Sequence, residues 1–545
     1  MALAIELAPT PLEKFYHWEK VASDAVFLRQ SRNGQWLDYT WSEVSEMVRR
    51  VAGFIASREL EPGARIGLVA SNCAEWMVID LAIMLAGHVS VPLYAAQDLN
   101  SGRYILDHAE VSLVFIGRFA HETQADELFG SDLYRIGLTD CRTPCDISLV
   151  DILLEAPRFN ESPVYPRAQL FTLIYTSGTT GNPKGVMHNI GAIADVVQRR
   201  TLYLPSAEPG ERERFISYLP LAHVAERAGI ALRALYGNAE LAFSAGQATF
   251  AMEMRQIKPT GFFAVPRLWE KFRENLLNAQ PDLMVDTLSE TEKLRLQSLL
   301  GLDKARYITT GAAATPPELY RWYKAIGIRL INAYGMTENL IDGCLNISDA
   351  ACDPGCVGKP LPGVKLRFTE DGEVCFKSAG VMAGYYKDEE KSSLVLHDGW
   401  YHTGDRGFLD EEGRLVLTGR VGDIFKTGKG KFVNPLDIEH KLYAWQLFEQ
   451  VCVVGQGLAQ PVAILVPNLS ARKLPKAQLE QTLRQGLVNM NSQLAPHERV
   501  SNICIASEEW SADSGLLTPT LKIKRQAVAD RYLGTINLNC LVTWL

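Results

Sequence analysis

The sequence predicts an α/β protein with a large N-terminal domain, residues 1–419, and a small α+β C-terminal domain, residues 420–545. Helix and strand patterns alternate along the N-terminal part, which is typical of mainly parallel sheets covered by helices. After about Gly355, glycine, proline and short β-type runs dominate, which indicates a β-rich section that closes the large domain. Since 545 residues exceed the usual size of one compact core, more than one domain is expected.

The N-terminal elements follow from capping and periodicity. Thr40 with Glu43 three residues later is a capping box, so a helix is predicted to begin there. Arg65 to Ala70 is an apolar strand, and Ser71-Asn72 is expected to cap a helix that reaches Leu85. Further strands are predicted at Val89 to Leu93, Val111 to Ile116, Phe215 to Leu219, Leu241 to Phe243, Phe262 to Val265, Ala305 to Thr309 and Ile328 to Ile331.

The C-terminal half contains shorter elements. Val451 to Val454 and Pro461 to Val466 are expected to pair as a hairpin across Gly455-Gln456-Gly457. A helical stretch from about Ala471 to Leu494 follows. Short strands of the β-rich section are predicted at Gly363 to Phe368, Gly372 to Lys377 and Arg414 to Thr418.

Composition limits the classes of function. The apolar fraction of 47% and charged fraction of 22% are typical of a soluble globular protein. A net charge of -8 argues against a nucleic-acid partner. Ten cysteines in a chain of this length do not form a disulfide framework, and we expect a reducing, cytoplasmic setting. Neither a signal peptide nor a membrane span is expected, since Asp80, His88 and Pro92 interrupt the most apolar stretch, Trp76 to Ala96.

One stretch has the composition of a polyphosphate-binding loop. It follows an apolar strand, Leu170 to Tyr175, and consists of Thr176, Ser177, Gly178, Thr179, Thr180, Gly181, Asn182, Pro183, Lys184 and Gly185. Glycines allow backbone N–H groups to turn toward an anion, hydroxyls add donors, and the lysine adds a compact charge. It is not a Walker loop, in which the lysine follows a glycine and precedes Ser or Thr.

Four further segments carry chemistry-bearing residues. The alternatives are, in order along the chain, a packed core histidine, a plain turn, an unrelated loop and a turn aspartate, and for the C-terminal segment Thr518 to Arg525 the alternative is a solvated basic face. Two of them, ending at His223 and beginning at Gly311, directly follow predicted strands and therefore face the crevice of an open sheet. The segments are Leu219 to His223, Gly311-Ala312-Ala313-Ala314, Asn332-Ala333-Tyr334-Gly335-Met336-Thr337-Glu338, and Tyr401 to Asp405.

Together with Thr518 to Arg525, these segments resemble the adenylate-forming superfamily, and most of all its long-chain fatty acyl-CoA synthetases. The resemblance implies that Gly311, Ala312 and Ala313 flank adenine and that Tyr334 stacks on it. It further implies that Thr337 donates to a phosphoryl oxygen and that Glu338 holds Mg²⁺. Asp405 is expected to accept both ribose hydroxyls with help from Arg420. Asn332, Ala333 and Gly335 complete the nucleotide motif.

The same resemblance assigns residues to catalysis. Lys522 aligns with the adenylation lysine, with Lys524 and Arg525 as near rivals, and a cation there would stabilise the transition state. His223 is expected near the substrate carboxylate. Gly422 occupies a hinge, 420–423, about which the small domain moves, although relatives usually carry Asp or Lys at this position. The loop containing Lys426, Gly428, Lys429, Gly430 and Lys431 is expected to face the phosphates of coenzyme A.

By this resemblance the enzyme activates a medium- or long-chain fatty acid with ATP and Mg²⁺, giving acyl-AMP and pyrophosphate, and then transfers the acyl group to coenzyme A. One alternative is an acyl-AMP ligase that loads a carrier protein. Another is a nucleotide- or acyl-binding protein that has lost catalysis, against which the intact motif residues argue. Acid chain length is not readable, and Phe262, Phe263 and Trp269 are either tunnel or core residues. An apolar substrate is compatible with loose, peripheral membrane association, and the oligomeric state stays open.

Overall fold

The computed structural model describes residues 7–176, 182–204, 207–208, 210–313, 315–347, 355–511, 514–518, 522–537 and 540–545. The predicted fold class is confirmed, because helices cover mainly parallel strands and a β-rich section follows them along the chain. Two of the predicted motifs lie partly outside the described residues. The phosphate loop lacks Ser177, Gly178, Thr179, Thr180 and Gly181, and the small-residue segment that begins at Gly311 lacks Ala314.

A mainly parallel sheet forms the centre of the N-terminal part. Its inner strands are continuous apolar runs buried on both faces, as expected of parallel strands covered by helices. The two strands at one edge, Gly384–Tyr385 and Lys184–Asn189, run antiparallel to their neighbours. The order is Gly384–Tyr385, Lys184–Asn189, Leu170–Thr176, Val89–Leu93, Arg65–Val69, Val111–Ile116, Tyr134–Gly137 and Ile147–Ser148.

Helix Trp41–Ala56 begins at the predicted capping box, in which the Glu43 N–H donates to Thr40 Oγ1 and the Thr40 N–H to Glu43 Oε2. Helix Ala74–Leu85 begins later than predicted, at Cys73, so the Ser71-Asn72 cap is wrong. The Asn72 amide instead donates to Ser217 Oγ and to the carbonyl oxygen of Leu219 on a neighbouring element. Every residue of this helix is buried. Among the described residues, no helix combines the length and apolarity needed to cross a membrane.

A small N-terminal sheet and a long mixed sheet flank this centre. The small sheet has the order Arg214–Ser217, Glu240–Phe243, Val26–Arg32 and Gln35–Thr40. The mixed sheet has the order Gly261–Ala264, Tyr307–Gly311, Ile331–Tyr334, Cys344–Leu345, Cys356–Pro360, Leu415–Arg420, Trp400–Leu409, Glu373–Lys377 and Lys365–Phe368, with Leu396–His397 against Trp400–Leu409.

Two predicted strands begin later than their apolar runs suggested. The strand predicted at Ala305 to Thr309 is Tyr307–Gly311, and the strand predicted at Ile328 to Ile331 is Ile331–Tyr334. The apolar residues that precede the second strand, Ile328 and Leu330, pack into a buried cluster under the helices instead. The start of an apolar run in the sequence therefore did not predict the residue at which either strand begins.

The C-terminal part has its own hydrophobic cluster, which extends from Phe425 to Val542. The predicted hairpin is confirmed by the antiparallel strands Phe448–Val454 and Val462–Pro467. Strands Asn502–Ile505 and Val542–Trp544 extend that sheet in parallel. The predicted long helix is divided into Leu469–Arg472 and Lys476–Ser492, because Pro475 stands at the N-cap of the second helix and favours its start rather than its interior.

Helices cover these sheets. The remaining α-helices are Pro11–Val21, Leu99–Ala109, Ala125–Phe129, Leu149–Glu155, Ile190–Tyr203, Val224–Glu226, Leu232–Gly237, Phe250–Ile257, Pro266–Ala279, Glu290–Leu300, Pro317–Ala325, Glu389–Val395, Pro435–Tyr443 and Arg525–Tyr532. A π-helical turn spans Arg227–Ala231, and a short hairpin joins Phe425–Lys426 to Phe432–Val433.

Candidate active site

A cleft of about 2360 Å³ separates the β-rich and parallel parts of the molecule from the C-terminal sheet. The strands Tyr307–Gly311 and Ile331–Tyr334 both end at this cleft. The carboxyl ends of parallel strands are the usual ligand-binding edge of an open α/β sheet. Each predicted motif contributes described residues to the lining of this cleft, with the exception of the lysine-rich loop at 426–431.

The predicted phosphate loop is the turn of a β-hairpin. Strand Leu170–Thr176 pairs antiparallel with strand Lys184–Asn189, and Thr176 lies opposite Lys184. A Walker loop instead leads from a strand into a helix, so the fold agrees with the distinction made from the sequence. Thr176 and Lys184 both line the cleft, and Lys184 Nζ lies 5.0 Å from the centre of the Tyr385 ring.

Asp405 is held by donors from two strands. Arg420 Nε donates to Asp405 Oδ1 at 2.8 Å, and the Tyr334 hydroxyl donates to Oδ2 at 2.5 Å. Burial, together with the neighbouring Asp405 carboxylate, keeps the pKa of Tyr334 well above its usual value, so the phenol stays protonated and donates. Each carboxylate oxygen has a second lone pair, so Asp405 retains acceptor capacity toward the cleft.

Thr337 and Glu338 lie on a 3₁₀ turn, Thr337–Asn339, that directly follows the strand ending at Tyr334. The buried His188 Nε2 donates to the carbonyl oxygen of Thr337 at 2.7 Å. Burial lowers the pKa of His188 to about 4, so the imidazole is neutral at neutral pH and serves as a fixed donor behind the turn.

Tyr385 is a site residue that the sequence reasoning missed. Its hydroxyl donates to Glu338 Oε1 at 3.0 Å, and its ring lies beside Lys184. Burial raises the pKa of Tyr385 first, and the Glu338 carboxylate raises it further. Only the antiparallel pairing of Gly384–Tyr385 with Lys184–Asn189 brings this ring to the cleft, and no spacing in the sequence reports that pairing.

The small residues after strand Tyr307–Gly311 divide between two positions. Ala312 and Ala313 line the cleft, and Ala312 has a left-handed backbone with φ of 66°. Gly311 packs against the neighbouring strand instead, since a Cβ there would lie 2.5 Å from the carbonyl oxygen of Ala333. Asn332 is anchored by a hydrogen bond from its Nδ2 to the carbonyl oxygen of Cys356 at 2.8 Å.

Lys522 reaches the cleft from the C-terminal part. Two hydrogen bonds join it to Thr518: the Lys522 N–H donates to Thr518 Oγ1, and the Thr518 N–H donates to the Lys522 carbonyl oxygen. Lys522 is exposed to solvent by its accessible surface, and it lines the cleft. Desolvation by the surrounding protein lowers the pKa of Lys522, Arg420 lowers it further, and the Asp405 and Glu338 carboxylates oppose the shift.

The two rivals of Lys522 differ in their surroundings. Arg525 is an ion-pair partner of Glu439 and of Asp423, and it also donates to the carbonyl oxygen of Val453. These contacts tie Arg525 into the C-terminal part. Lys524 stands at the N-cap of helix Arg525–Tyr532, and both residues line the cleft.

His223 stands at the start of the short helix Val224–Glu226 and lines the cleft. Its Nδ1 accepts from the Ala225 N–H at 3.3 Å. Burial lowers the pKa of His223 to about 4, and the Lys522 cation contributes to the shift. The neutral imidazole therefore keeps its proton on Nε2, where it can donate to a neighbouring oxygen.

The lysine-rich loop at 426–431 lies away from the cleft that the other predicted site residues line. Its turn is closed by hydrogen bonds between Thr427 and Lys431, and the Gly428 N–H donates to the Leu458 carbonyl oxygen. Gly430 adopts φ of 75°, and Gly422 lines the cleft with open space where a Cβ would be. Lys426, Lys429 and Lys431 stand outside the cleft wall.

Apolar residues extend the cleft away from the polar cluster. Phe262 and Phe263 line it, whereas Trp269 is fully buried and donates from Nε1 to the Ala264 carbonyl oxygen. Nearby Glu270 also lines the cleft, and burial raises its pKa to about 7. Phe262 is only 2% exposed and packs in the same buried cluster as Trp269, so the core alternative is favoured for both. The partly buried Phe263 is the better tunnel candidate.

Comparison with known families gives two matches. The AMP-binding enzyme model matches residues 15–386, and the AMP-binding enzyme C-terminal domain model matches residues 423–538. The interval between them contains Asp405 and Arg420.

Individual relatives match over most of their length. Long-chain-fatty-acid–CoA ligase FadD15 of Mycobacterium bovis is 27% identical over 96% of this chain and 95% of its own. Long-chain-fatty-acid–CoA ligase 1 of Cavia porcellus is 30% identical over 92% of this chain and 82% of its own. The solved structure of ATP-bound MatB from Rhodopseudomonas palustris has a TM-score of 0.78 at 22% identity, covering 96% of this chain and 99% of that chain, which supports the fold.

Proposed function

The chain belongs to the AMP-binding enzyme family, and on that premise we propose that it is an AMP-forming acyl-CoA ligase. It joins a carboxylic acid to ATP, giving acyl-AMP and pyrophosphate, and then transfers the acyl group to the thiol of coenzyme A. The relatives named as long-chain-fatty-acid–CoA ligases support this reaction and favour a fatty acid as its substrate.

One observation supports the adenylation step above the others. The Lys522 ammonium group interacts electrostatically with the Asp405 and Glu338 carboxylates, in a cleft that Lys184 also lines. Asp405 accepts the ribose hydroxyls while Arg420 and Tyr334 hold its carboxylate. Lys184 and Thr176 bind phosphate oxygens, so the α-phosphate is directed toward Lys522.

In the first half-reaction a carboxylate oxygen attacks the α-phosphorus of ATP, and the bond to the β-phosphate bridging oxygen breaks. Negative charge builds on the oxygens of the pentacoordinate transition state. Lys522 pairs with these oxygens and with the incoming carboxylate, which brings two anions together and stabilises the transition state. His223, neutral near pH 7, orients the substrate carboxylate by donating from Nε2.

The residues present fit a magnesium ion. Mg²⁺ prefers carboxylate and phosphate oxygens, and Glu338 presents a carboxylate whose orientation is fixed by the Tyr385 hydroxyl. When bound, the ion neutralises charge on the triphosphate. Thr337 adds a hydroxyl donor for a phosphoryl oxygen from the same turn.

The second half-reaction needs a different arrangement of the small domain. The lysine-rich loop lies outside the cleft that Lys522 occupies. Rotation about 420–423 withdraws Lys522 and brings the loop to the cleft, where Lys426, Lys429 and Lys431 face the phosphates of coenzyme A. The proposed division of the domains after residue 419 lies at the end of the last strand of the β-rich section, Leu415–Arg420.

The substrate is a medium- or long-chain fatty acid. The apolar wall that includes Phe263 suits an alkyl chain, and the cleft volume of about 2360 Å³ leaves room for it beside a nucleotide. The protein works in the cytoplasm and meets its acid at a membrane surface through loose peripheral contact.

The test is a product analysis with purified protein, Mg²⁺, ATP and coenzyme A across short, medium, long and aromatic acids. We expect AMP and pyrophosphate in equal amounts with the longer acids, together with acyl-CoA. Formation of acyl-AMP that reaches only a carrier-protein thiol would instead identify the carrier-loading alternative. If ATP never yields AMP with any acid, the proposed function is wrong.

A further inference from the structure

Three metal-ligating side chains meet on one face of the β-rich section. Strands Glu373–Lys377 and Trp400–Leu409 are antiparallel, and Cys375 is the direct cross-strand partner of His402. Glu373 stands two residues before Cys375, and although the pairing with the neighbouring strand is irregular between them, both side chains reach the same imidazole. His402 Nδ1 lies 3.0 Å from Glu373 Oε2 and 3.5 Å from Cys375 Sγ.

These distances suit a shared ion. The ligand atoms of the three residues all lie within 4.8 Å of one another. Around a tetrahedral zinc ion, Zn–N and Zn–S bonds of about 2.1 and 2.3 Å place neighbouring ligand atoms roughly 3.4–3.6 Å apart. The observed separations need only small side-chain adjustments to reach this geometry.

The donor set selects one class of ion. A thiolate and an imidazole are soft or borderline ligands that favour Zn²⁺ and similar transition metals, whereas Mg²⁺ prefers oxygen. Glu373 and His402 line the cleft, which gives an ion a route of entry. Cys375 is fully buried behind them and closes the site from the protein side.

We propose that Glu373, Cys375 and His402 form a binding site for a divalent transition-metal ion of the Zn²⁺ class, with its fourth position open to solvent. Binding displaces the Cys375 thiol proton, which passes to water, and His402 binds through Nδ1 as the neutral imidazole with its one N–H on Nε2. The site is separate from the proposed Mg²⁺ position at Glu338.

The site is coupled to the nucleotide side of the cleft through one hydrogen bond. Glu373 Oε1 accepts from the Gly404 N–H at 2.8 Å, and Asp405 is the next residue. An ion on Glu373 Oε2 therefore stiffens the turn that positions Asp405. This consequence rests on the proposed function, since Asp405 is the proposed ribose ligand, but the metal binding itself does not.

Cobalt spectroscopy on chelator-treated full-length protein tests the proposal without using enzyme activity. With Co²⁺ we expect one equivalent to give the visible bands of tetrahedral cobalt and a sulfur-to-cobalt charge-transfer band, both removed by Zn²⁺ but not by Mg²⁺. Cys375→Ser should abolish the charge-transfer band, while the exposed control Cys540→Ser should keep it. A spectrum that is absent from the wild type, or that survives in Cys375→Ser, overturns the proposal.

Two further variants protect this test. Cys375 is buried, so Glu373→Gln serves as the test if Cys375→Ser fails to fold. Its amide oxygen can still accept from the Gly404 N–H, which preserves the local structure. We expect the Co²⁺ affinity of Glu373→Gln to fall at least tenfold, and an unchanged affinity contradicts the site. Elsewhere in the large domain, Cys141 and Cys145 form a thiol pair with sulfurs 3.6 Å apart. A band that disappears in Cys141→Ser instead assigns the ion to that pair and overturns the proposal.

Discussion

Arg420 Nε donates to Asp405 Oδ1 at 2.8 Å across two antiparallel strands that hold these residues in register. The hydroxyl of Tyr334, which comes from a third strand of the same mixed sheet, holds the other carboxylate oxygen. The orientation of the carboxylate is therefore set by sheet pairing before a ligand binds. A preorganised acceptor loses little conformational freedom on binding, which favours nucleotide affinity.

The first prediction concerns Asp405→Asn. The amide keeps one acceptor oxygen but loses the charge that strengthens hydrogen bonds to ribose hydroxyls, so we expect the KM for ATP to rise about tenfold, ~1.4 kcal/mol. The measurement is initial-rate kinetics at saturating acid and Mg²⁺. The matched control is Asp410→Asn on the same hairpin, where the carboxylate pairs with Arg414. Equal KM values for both variants would contradict the ribose role.

The strand-end rule predicted His223 and the small residues after Gly311 at the cleft, because the carboxyl ends of parallel strands meet at one edge of a sheet. Tyr334, Thr337 and Glu338 were predicted from the family resemblance instead, and they lie at the cleft beside the end of strand Ile331–Tyr334. Tyr385 followed from neither, because a two-residue strand added antiparallel at the sheet edge has no periodic signal.

Other misses share a physical cause, which is tertiary contact overriding local preference. Asn72 is a good cap residue, but its amide satisfies a carbonyl on another element, and the helix begins after it. The cluster of Glu373 and His402 depends on cross-strand register, which a one-residue slip would destroy. A disulfide framework was not expected of the ten cysteines, although Cys356 is disulfide-bonded.

The second prediction is that Lys522→Ala slows acyl-AMP formation at least about 100-fold, a loss of ~2.7 kcal/mol in transition-state stabilisation. Single-turnover pyrophosphate release measures this step. Lys524→Ala is the matched control, since it removes the neighbouring lysine of the same segment, and its rate should stay near that of the wild type. A larger effect from Lys524→Ala would transfer the adenylation role to that residue.

The third prediction concerns pH. Burial lowers the pKa of Lys522, with Arg420 adding to the shift, and the charged form is the one that stabilises the transition state. The adenylation rate should therefore fall as pH rises through a value below that of an ordinary lysine. His223 is already neutral above its pKa of about 4, so it does not produce this limb. In Lys522→Arg, whose guanidinium stays charged, the alkaline limb should disappear; a limb that persists there would contradict the assignment.

The fourth prediction concerns Arg267, which lies on helix Pro266–Ala279 and pairs with Glu449 and Glu509 of the C-terminal part. The three side chains are partly exposed, so the network contributes only about 1 kcal/mol. Because the network joins the large domain to the C-terminal part in the arrangement that brings Lys522 to the cleft, Arg267→Ala should slow adenylation roughly two- to fivefold while leaving transfer from supplied acyl-AMP to coenzyme A unchanged.

The control for Arg267→Ala is Lys271→Ala, which removes an exposed cation from the same helix. High salt should reduce the adenylation rate of the wild type toward that of Arg267→Ala, because screening weakens partly exposed ion pairs. Equal slowing of both half-reactions by Arg267→Ala would show that the arginine does not favour one domain arrangement.

The last prediction concerns the hinge. A Cβ added at Gly422 would have no neighbouring atom within 4 Å, so Gly422→Ala meets no steric obstacle and only narrows the backbone freedom. Gly422→Pro fixes φ near -65° and restricts Val421 as well. The present arrangement brings Lys522 to the cleft, so adenylation requires no rotation, whereas thioester formation does. We therefore expect Gly422→Pro to slow acyl transfer to coenzyme A at least tenfold more than it slows pyrophosphate release, and Gly422→Ala to slow both steps little. Separate single-turnover assays of the two steps measure this ratio, and equal losses in Gly422→Pro would argue against rotation about this residue.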